Sequence, residues 1–205
     1  MPSERRARAA RFHQGIMVRR NDGEDDAVQN EVIWAPWRLA YITSASEADQ
    51  PTSADVLPGG DPACFLCRCA APGDDKRKWV IARGRATVTV MNCYPYNNGH
   101  LLVAPLRHVG DLLQLTPDED AEIAAEIKRM VAVLARVLKP EGFNIGINLG
   151  RVAGAGVPGH LHWHIVPRWG GDTNFMATAA GTRVIPQSLE ALWNALTADL
   201  SAGEQ

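Results

Sequence analysis

The run His160-Leu161-His162-Trp163-His164-Ile165-Val166-Pro167 holds three of the six histidines in the chain. Side chains alternate across an extended strand, so this stretch sets His160, His162 and His164 on one face and Leu161, Trp163 and Ile165 on the other. The second face is apolar and suits a core. The reading is therefore a half-buried strand whose accessible face is given entirely to imidazole.

Imidazole is neutral near pH 7, nucleophilic, and a good leaving group from phosphorus once it has been phosphorylated or nucleotidylated. Neighbouring imidazoles can hold its tautomer and donate to phosphoryl oxygens. Immediately before the histidines runs Asn148-Leu149-Gly150-Arg151-Val152-Ala153-Gly154-Ala155-Gly156-Val157-Pro158-Gly159. Its four glycines permit positive φ and can turn N–H groups toward an anion. A glycine-rich loop on its own is usually only a turn. Joined to an aligned histidine row, it reads as a phosphate cradle.

Working outward, Ala86–Cys93 is β-branched and strand-like, with Cys93 expected to be buried in it, and His100–Pro105 is a second apolar run. The segment Tyr94-Pro95-Tyr96-Asn97-Asn98-Gly99 between them carries an Asn-Gly turn signal, which predicts a hairpin. Thr116-Pro117-Asp118-Glu119 is a capping box with proline at the first helical position. Ile123, Ile127, Met130, Val131, Leu134 and Leu138 follow at helical spacing, with Gly142 placed to end the helix. Phe143–Leu149 reads as a third strand and His160–Pro167 as a fourth. Pro186 opens a last helix with Leu189, Leu192, Trp193, Leu196 and Leu200 on one face. The chain thus reads as α+β.

The first thirty residues do not read as core. Met1–Arg20 carries six arginines against Glu4 alone, and Asp22–Glu31 carries five acids and no base; such blocks are solvated leaders. Residues 31–205 are expected to form one domain with extensions at both ends. Order is expected to begin at Ile33-Trp34-Ala35-Pro36-Trp37-Arg38, whose aromatics need a surface to cover. Thr43–Asp61 reads as a loop.

With 205 residues, 46% of them apolar, and a formal net charge of −2, the composition is that of a soluble globular protein. It suggests no general affinity for nucleic acid or for an anionic membrane, so phosphate recognition must be local. Four cysteines do not make a disulfide framework, and reduced thiols in a cytoplasmic setting are expected. Cys64-Phe-Leu-Cys67 is one half of a zinc site. A closed tetrahedral site needs two more ligands. Spacing leaves His100, His108, His160 and the remaining cysteines as candidates, and leaves open a pair of merely buried thiols.

These residues resemble a known family. His160-x-His162-x-His164 followed by Ile165-Val166 is similar to the signature of the histidine-triad (HIT) superfamily. Gly99-His100-Leu101-Leu102-Val103-Ala104-Pro105-x-x-His108 resembles its second landmark, and Cys64-x-x-Cys67 resembles the knuckle of its zinc-bearing branches. The likeness spans roughly residues 60–170, a domain-sized stretch. Tyr94–His100, Val166–Met176 and Trp34–Arg38 are similar to the branch of bacterial diadenosine tetraphosphate phosphorylases.

The resemblance implies a HIT-like fold around an antiparallel sheet of about five strands, with a long helix and a C-terminal helix, usually dimerised. It makes His162 the nucleophile that attacks the α-phosphorus, His164 a catalytic contact to the α-phosphate, and His160 a zinc ligand with Cys64, Cys67 and His108. That zinc would be structural. The nucleotide would meet Asn92, Asn148, Gly154, Ala155, Gly156 and Trp169 beside His162 and His164, and His100 would be a buried structural residue. The implied activity is nucleotidyl transfer on dinucleoside polyphosphates, with inorganic phosphate as a second substrate. Alternatives are a nucleotide hydrolase acting on phosphoramidates, adenylylsulfate or dinucleoside polyphosphates, and a non-catalytic nucleotide-binding scaffold. One departure bears on the choice. Hydrolytic members commonly carry Gly-Gln-Ser/Thr just before the triad, where this chain has Ala155-Gly156-Val157. The missing amide favours an acceptor that brings its own nucleophile.

Overall fold

The computed structural model describes residues 56–172 and 185–203. The arginine-rich leader, the Trp34–Arg38 segment, most of the serine-rich loop and Thr173–Met176 lie outside them.

Among the described residues, three α-helices and five strands follow in the order α1 (Phe65–Ala70), β1 (Val80–Arg83), β2 (Thr87–Met91), β3 (Leu101–Pro105), α2 (Pro117–Leu138), β4 (Gly142–Ile147), β5 (Trp163–Arg168) and α3 (Leu189–Gly203). The strands form one sheet in the order β1-β2-β3-β5-β4, with every neighbouring pair antiparallel. β5 enters between β3 and β4, so the histidine strand lies inside the sheet and β4 lies at its edge.

The sheet is covered on both faces. Met91, Leu101, Val103 and Ile165 pack under Ile123, Met130, Val133 and Leu134 of α2 and Leu192 and Leu196 of α3. On the other face Val88, Val90, Leu102 and Ala104 pack under Leu66, Cys67, Cys69 and Ala70 of α1. Every position of β2 and β3 is therefore buried; β3 accordingly reads as a continuous apolar run, while the buried Thr87 and Thr89 of β2 donate to Glu122 and Glu126 of α2. His164 lies opposite Leu102 and shares the α1 face.

The expected hairpin forms between β2 and β3, with Val90 opposite Leu102. Gly99 makes its turn at φ +77°, and a Cβ there would come within 2.5 Å of Leu138 Cδ1. Both the backbone conformation and the close approach call for glycine. The capping box is complete: Thr116 Oγ1 accepts from the Glu119 N–H, and Glu119 accepts from the Thr116 N–H.

Several boundaries differ from expectation. β2 stops at Met91 because Asn92 Oδ1 takes the Tyr94 N–H, at 2.9 Å, into a local turn. Cys93 consequently lies outside the strand and is exposed, not buried. α2 ends at Leu138 with Lys139 left-handed (φ 49°), and Pro140 cannot continue it; Gly142 opens β4 instead. β4 ends two residues earlier than expected, at Ile147. α3 starts at Leu189, after Ser188 accepts from the Ala191 N–H. The histidine strand is shorter too. Regular pairing starts at Trp163, while the Leu161 N–H reaches across to the Val109 carbonyl at 2.7 Å. His160 and His162 precede the ladder, and they are buried where an accessible face was expected.

Candidate active site and metal centre

Two clusters grow from the histidine run. The first joins Cys64, Cys67, His108 and His160, whose ligand atoms all lie within 4.8 Å of one another. Cys64 caps the N-terminus of α1 and Cys67 sits within it. His108 follows β3, and His160 leads into β5. Cys64 Sγ is 3.4 Å from His160 Nδ1, and Cys67 Sγ is 3.2 Å from His108 Nδ1 and 3.5 Å from His160 Nδ1.

The imidazole of His160 is oriented by its far side. Its Nε2–H donates to the Pro105 carbonyl at 2.9 Å, which leaves the Nδ1 lone pair facing both sulfurs. A buried carbonyl on the second nitrogen is the usual way a metal-ligating histidine is held. The Asp61 N–H in turn points at Cys67 Sγ at 3.4 Å. Burial pushes the Cys67 thiol up to about 11 and His160 down to about 4, so bare charges are disfavoured in this cluster. A divalent cation would reverse that preference for the thiols. Two sulfurs and two imidazole nitrogens, closely spaced and with no room among them for substrate, fit a closed tetrahedral metal site. Of the cysteines read as bystanders, Cys69 sends its Sγ–H toward the Lys78 carbonyl, 3.6 Å away.

The second cluster lies alongside. His162 Nδ1 is 2.8 Å from the His160 carbonyl. A carbonyl only accepts, so the Nδ1 of a neutral ring must carry the proton and Nε2 the lone pair. The tautomer of His164 follows from a longer chain. His100 Nδ1 accepts from the Tyr96 N–H at 3.0 Å and lies 3.2 Å from Asn92 Nδ2. The His100 proton is therefore on Nε2, which donates to His164 Nδ1 at 2.9 Å. The His164 proton must then be on its own Nε2, a buried atom with no protein partner among the described residues. Burial first, and the neighbouring histidines second, lower His100 to about 3 and His164 to about 4, which keeps both rings neutral at pH 7. The ring of Tyr96 lies nearly parallel to that of His164, 5.7 Å centre to centre. The outcome is an electron pair on one imidazole beside an unfilled N–H donor on the next, with ring centres 5.1 Å apart.

The glycine-rich loop is built from tight turns. Gly150 and Gly154 have φ of +78° and +90°. The N–H groups of Gly154 and Ala155 close onto the Arg151 and Gly150 carbonyls. Asn148 is half-buried under this loop, with Nδ2 3.9 Å from where a Gly154 side chain would start. Trp169, also half-buried, sits in a turn held by Asp172, whose carboxylate takes Arg168. Asn92 is the expected nucleotide contact most fully engaged with protein, through His100 and Tyr94. His100, read from sequence as structural, is hydrogen-bonded directly to the site. The carbonyls of Pro105 and His160 are main-chain atoms that no residue type announces. Tyr96 is the one missed neighbour with a visible signal, as an aromatic four residues before His100.

The family model described as HIT domain matches residues 75–171. A Mycobacterium tuberculosis protein named AP-4-A phosphorylase is 41% identical over 170 residues, 83% of each chain. Bis(5'-nucleosyl)-tetraphosphatase [asymmetrical] of Schizosaccharomyces pombe is 37% identical over 89 residues, 43% of this chain and 48% of its own. Among solved structures, a Zn-bound histidine triad family protein from Mycobacterium smegmatis superposes with a TM-score of 0.57 at 29% identity, over 71% of this chain and 98% of its own.

Proposed function

The chain belongs to the HIT domain family, and from that premise we propose that it cleaves dinucleoside polyphosphates such as diadenosine tetraphosphate, passing a nucleotidyl group through His162 to inorganic phosphate. The observation that carries this is the 2.8 Å bond from His162 Nδ1–H to the His160 carbonyl, because it leaves the lone pair on Nε2, as a nucleophile requires.

In the first step Nε2 attacks the α-phosphorus. An N–P bond forms, the bond from that phosphorus to its bridging oxygen breaks, and the electron pair leaves on the departing nucleoside triphosphate. Positive charge grows on the imidazole, and the His160 carbonyl stabilises it through the Nδ1–H. His164 Nε2–H donates to an oxygen of the α-phosphate. In the second step an oxygen of inorganic phosphate displaces the imidazole, forming a nucleoside diphosphate and restoring His162. Asn148, Trp169 and the Gly154-Ala155-Gly156 backbone line the nucleotide cradle, with the Gly154 and Ala155 N–H groups engaged in the loop's own turns, and Asn92 belongs to it through its bond to His100.

The four-ligand cluster is read as a structural zinc site held by Cys64, Cys67, His108 and His160. Zinc there would staple α1 to the approach of the histidine strand. The homodimer is supported by β4, an edge strand on which Ile145 is 47% exposed. Free thiols at all four cysteines accord with a cytoplasmic protein, and no helix among the described residues is long and apolar enough to cross a membrane.

Hydrolysis is the second reading, favoured by the likeness to a protein named as a tetraphosphatase; water would then replace phosphate in the second step. Incubation with diadenosine tetraphosphate, with and without phosphate, separates the two. ADP plus ATP formed only with phosphate is the expected result. AMP plus ATP formed without it would replace phosphorolysis by hydrolysis, and tight binding without turnover would leave only a scaffold.

A further inference from the structure

Half of the metal cluster rides on α1, a helix of six residues, far too short to be stable by itself. The last carbonyls of any helix lack partners inside it, and here two side chains from the edge of the sheet converge on them. Arg83, the final residue of β1, donates from Nε to the Cys69 carbonyl at 3.1 Å and the Ala70 carbonyl at 3.3 Å. Its Nη2 donates to Cys69 at 2.8 Å and to Ala71 at 3.0 Å, while Nη1 pairs with Asp75. Lys78 Nζ takes the Arg68 carbonyl at 2.8 Å and that of Ala71 at 3.3 Å. Four successive carbonyls, 68 to 71, thus end on two cations. The Arg83 side chain is only 21% exposed, so its fork works mostly out of water, where such bonds are strongest.

We infer that Arg83 is a positioning residue for the metal centre, anchoring α1 so that Cys64 and Cys67 stay at ligand distance from His108 and His160. The inference rests on the metal reading above and adds to it a residue that is not a ligand. Apolar packing of Leu66, Cys69 and Ala70 sets how deep α1 lies, but such packing is non-directional. The guanidinium fork fixes the rotation of the helix and its shift along its axis, and those two quantities place two sulfurs three residues apart. Lysine at position 83 would keep the charge and lose the planar fork.

The test compares zinc-loaded wild-type protein with Arg83→Met, Arg83→Lys and Lys76→Met. The last removes an exposed ion pair with Glu190 in the same region and serves as the control. Zinc release to a coloured chelator is followed together with hydrogen exchange of the α1 and α2 amides. Arg83→Met is expected to release zinc about 10-fold faster, the scale seen when an outer-sphere support is lost. The amides of residues 66–71 should exchange faster while those of α2 are unchanged, and Lys76→Met should match wild type in both. Should Arg83→Met fail to fold, Arg83→Lys supplies the same comparison. Wild-type zinc retention and α1 protection in a folded Arg83 variant would overturn the assignment. A wild-type protein that takes up no zinc would instead overturn the metal reading itself, and the metal role of Arg83 with it.

Discussion

Replacing His100 by Phe should disable His164 without touching it. The substitution removes the acceptor of the Tyr96 N–H and the donor to His164 Nδ1, bonds of 3.0 and 2.9 Å. Each group left without a partner costs about 1–3 kcal/mol, so the fold should lose about 2–6 kcal/mol. The catalytic effect is separate. With Nδ1 no longer receiving a hydrogen bond, neutral His164 is free to carry its single proton there instead, and Nε2 then becomes an acceptor. Loss of one preorganised donor to a phosphoryl oxygen costs about 10²–10³ in kcat. The assay is turnover of diadenosine tetraphosphate in the presence of phosphate, with folding checked by thermal melting, for His100→Phe, His164→Phe and the double variant. If His100 acts only through His164, the double variant is no slower than His164→Phe alone. A folded His100→Phe enzyme within about twofold of wild type would refute the tautomer chain. So would a double variant slowed by the product of the two single effects.

The same two histidines set an acid limit on stability. Burial lowers them to about 3 and about 4, whereas the unfolded chain protonates near 6.5. Between those values the unfolded state binds more protons, so stability falls as pH drops from about 6.5 toward 4 and is level above pH 7. Melting temperature against pH should show this, with a shallower fall in His100→Phe; equal slopes would contradict it. Gly99→Ala combines a left-handed backbone with a methyl 2.5 Å from Leu138 Cδ1, and should destabilise by about 2–4 kcal/mol in urea unfolding. A loss below about 1 kcal/mol would mean that the turn relaxes more easily than its packing suggests.

The elements that could be read in advance are those whose signal is local. Thr116-Pro117-Asp118-Glu119 states a helix start in four residues, and Asn98-Gly99 states a turn in two. The hidden elements are short or depend on distant partners. α1 spans too few residues to show a period, and β1 is a four-residue strand with a bulge after Val80. The end of α2 differs from the one the sequence suggests because a left-handed lysine followed by proline takes the place of glycine. At the candidate site the titratable residues were visible as residue types, and the Cys64, Cys67, His108 and His160 set does come together. What orients them is largely main chain: the Pro105 carbonyl behind His160, the His160 carbonyl behind His162 and the Tyr96 N–H behind His100. Backbone atoms carry no letter of their own, so no residue type in the sequence announces this layer.

Residue 160 faces two ways. Its ring turns Nδ1 toward the sulfurs of Cys64 and Cys67, while its carbonyl holds the Nδ1–H of His162. One peptide unit is thus a wall shared by two rooms, and any force that settles it on one side settles it on the other. A cation at the one and a nucleotide at the other would be linked by a single coupling free energy, which by reciprocity must have the same size read from either direction. A nucleotide lodged against His162 would then change the affinity of the cysteine cluster for a cation by the same factor by which that cation changes the affinity for the nucleotide.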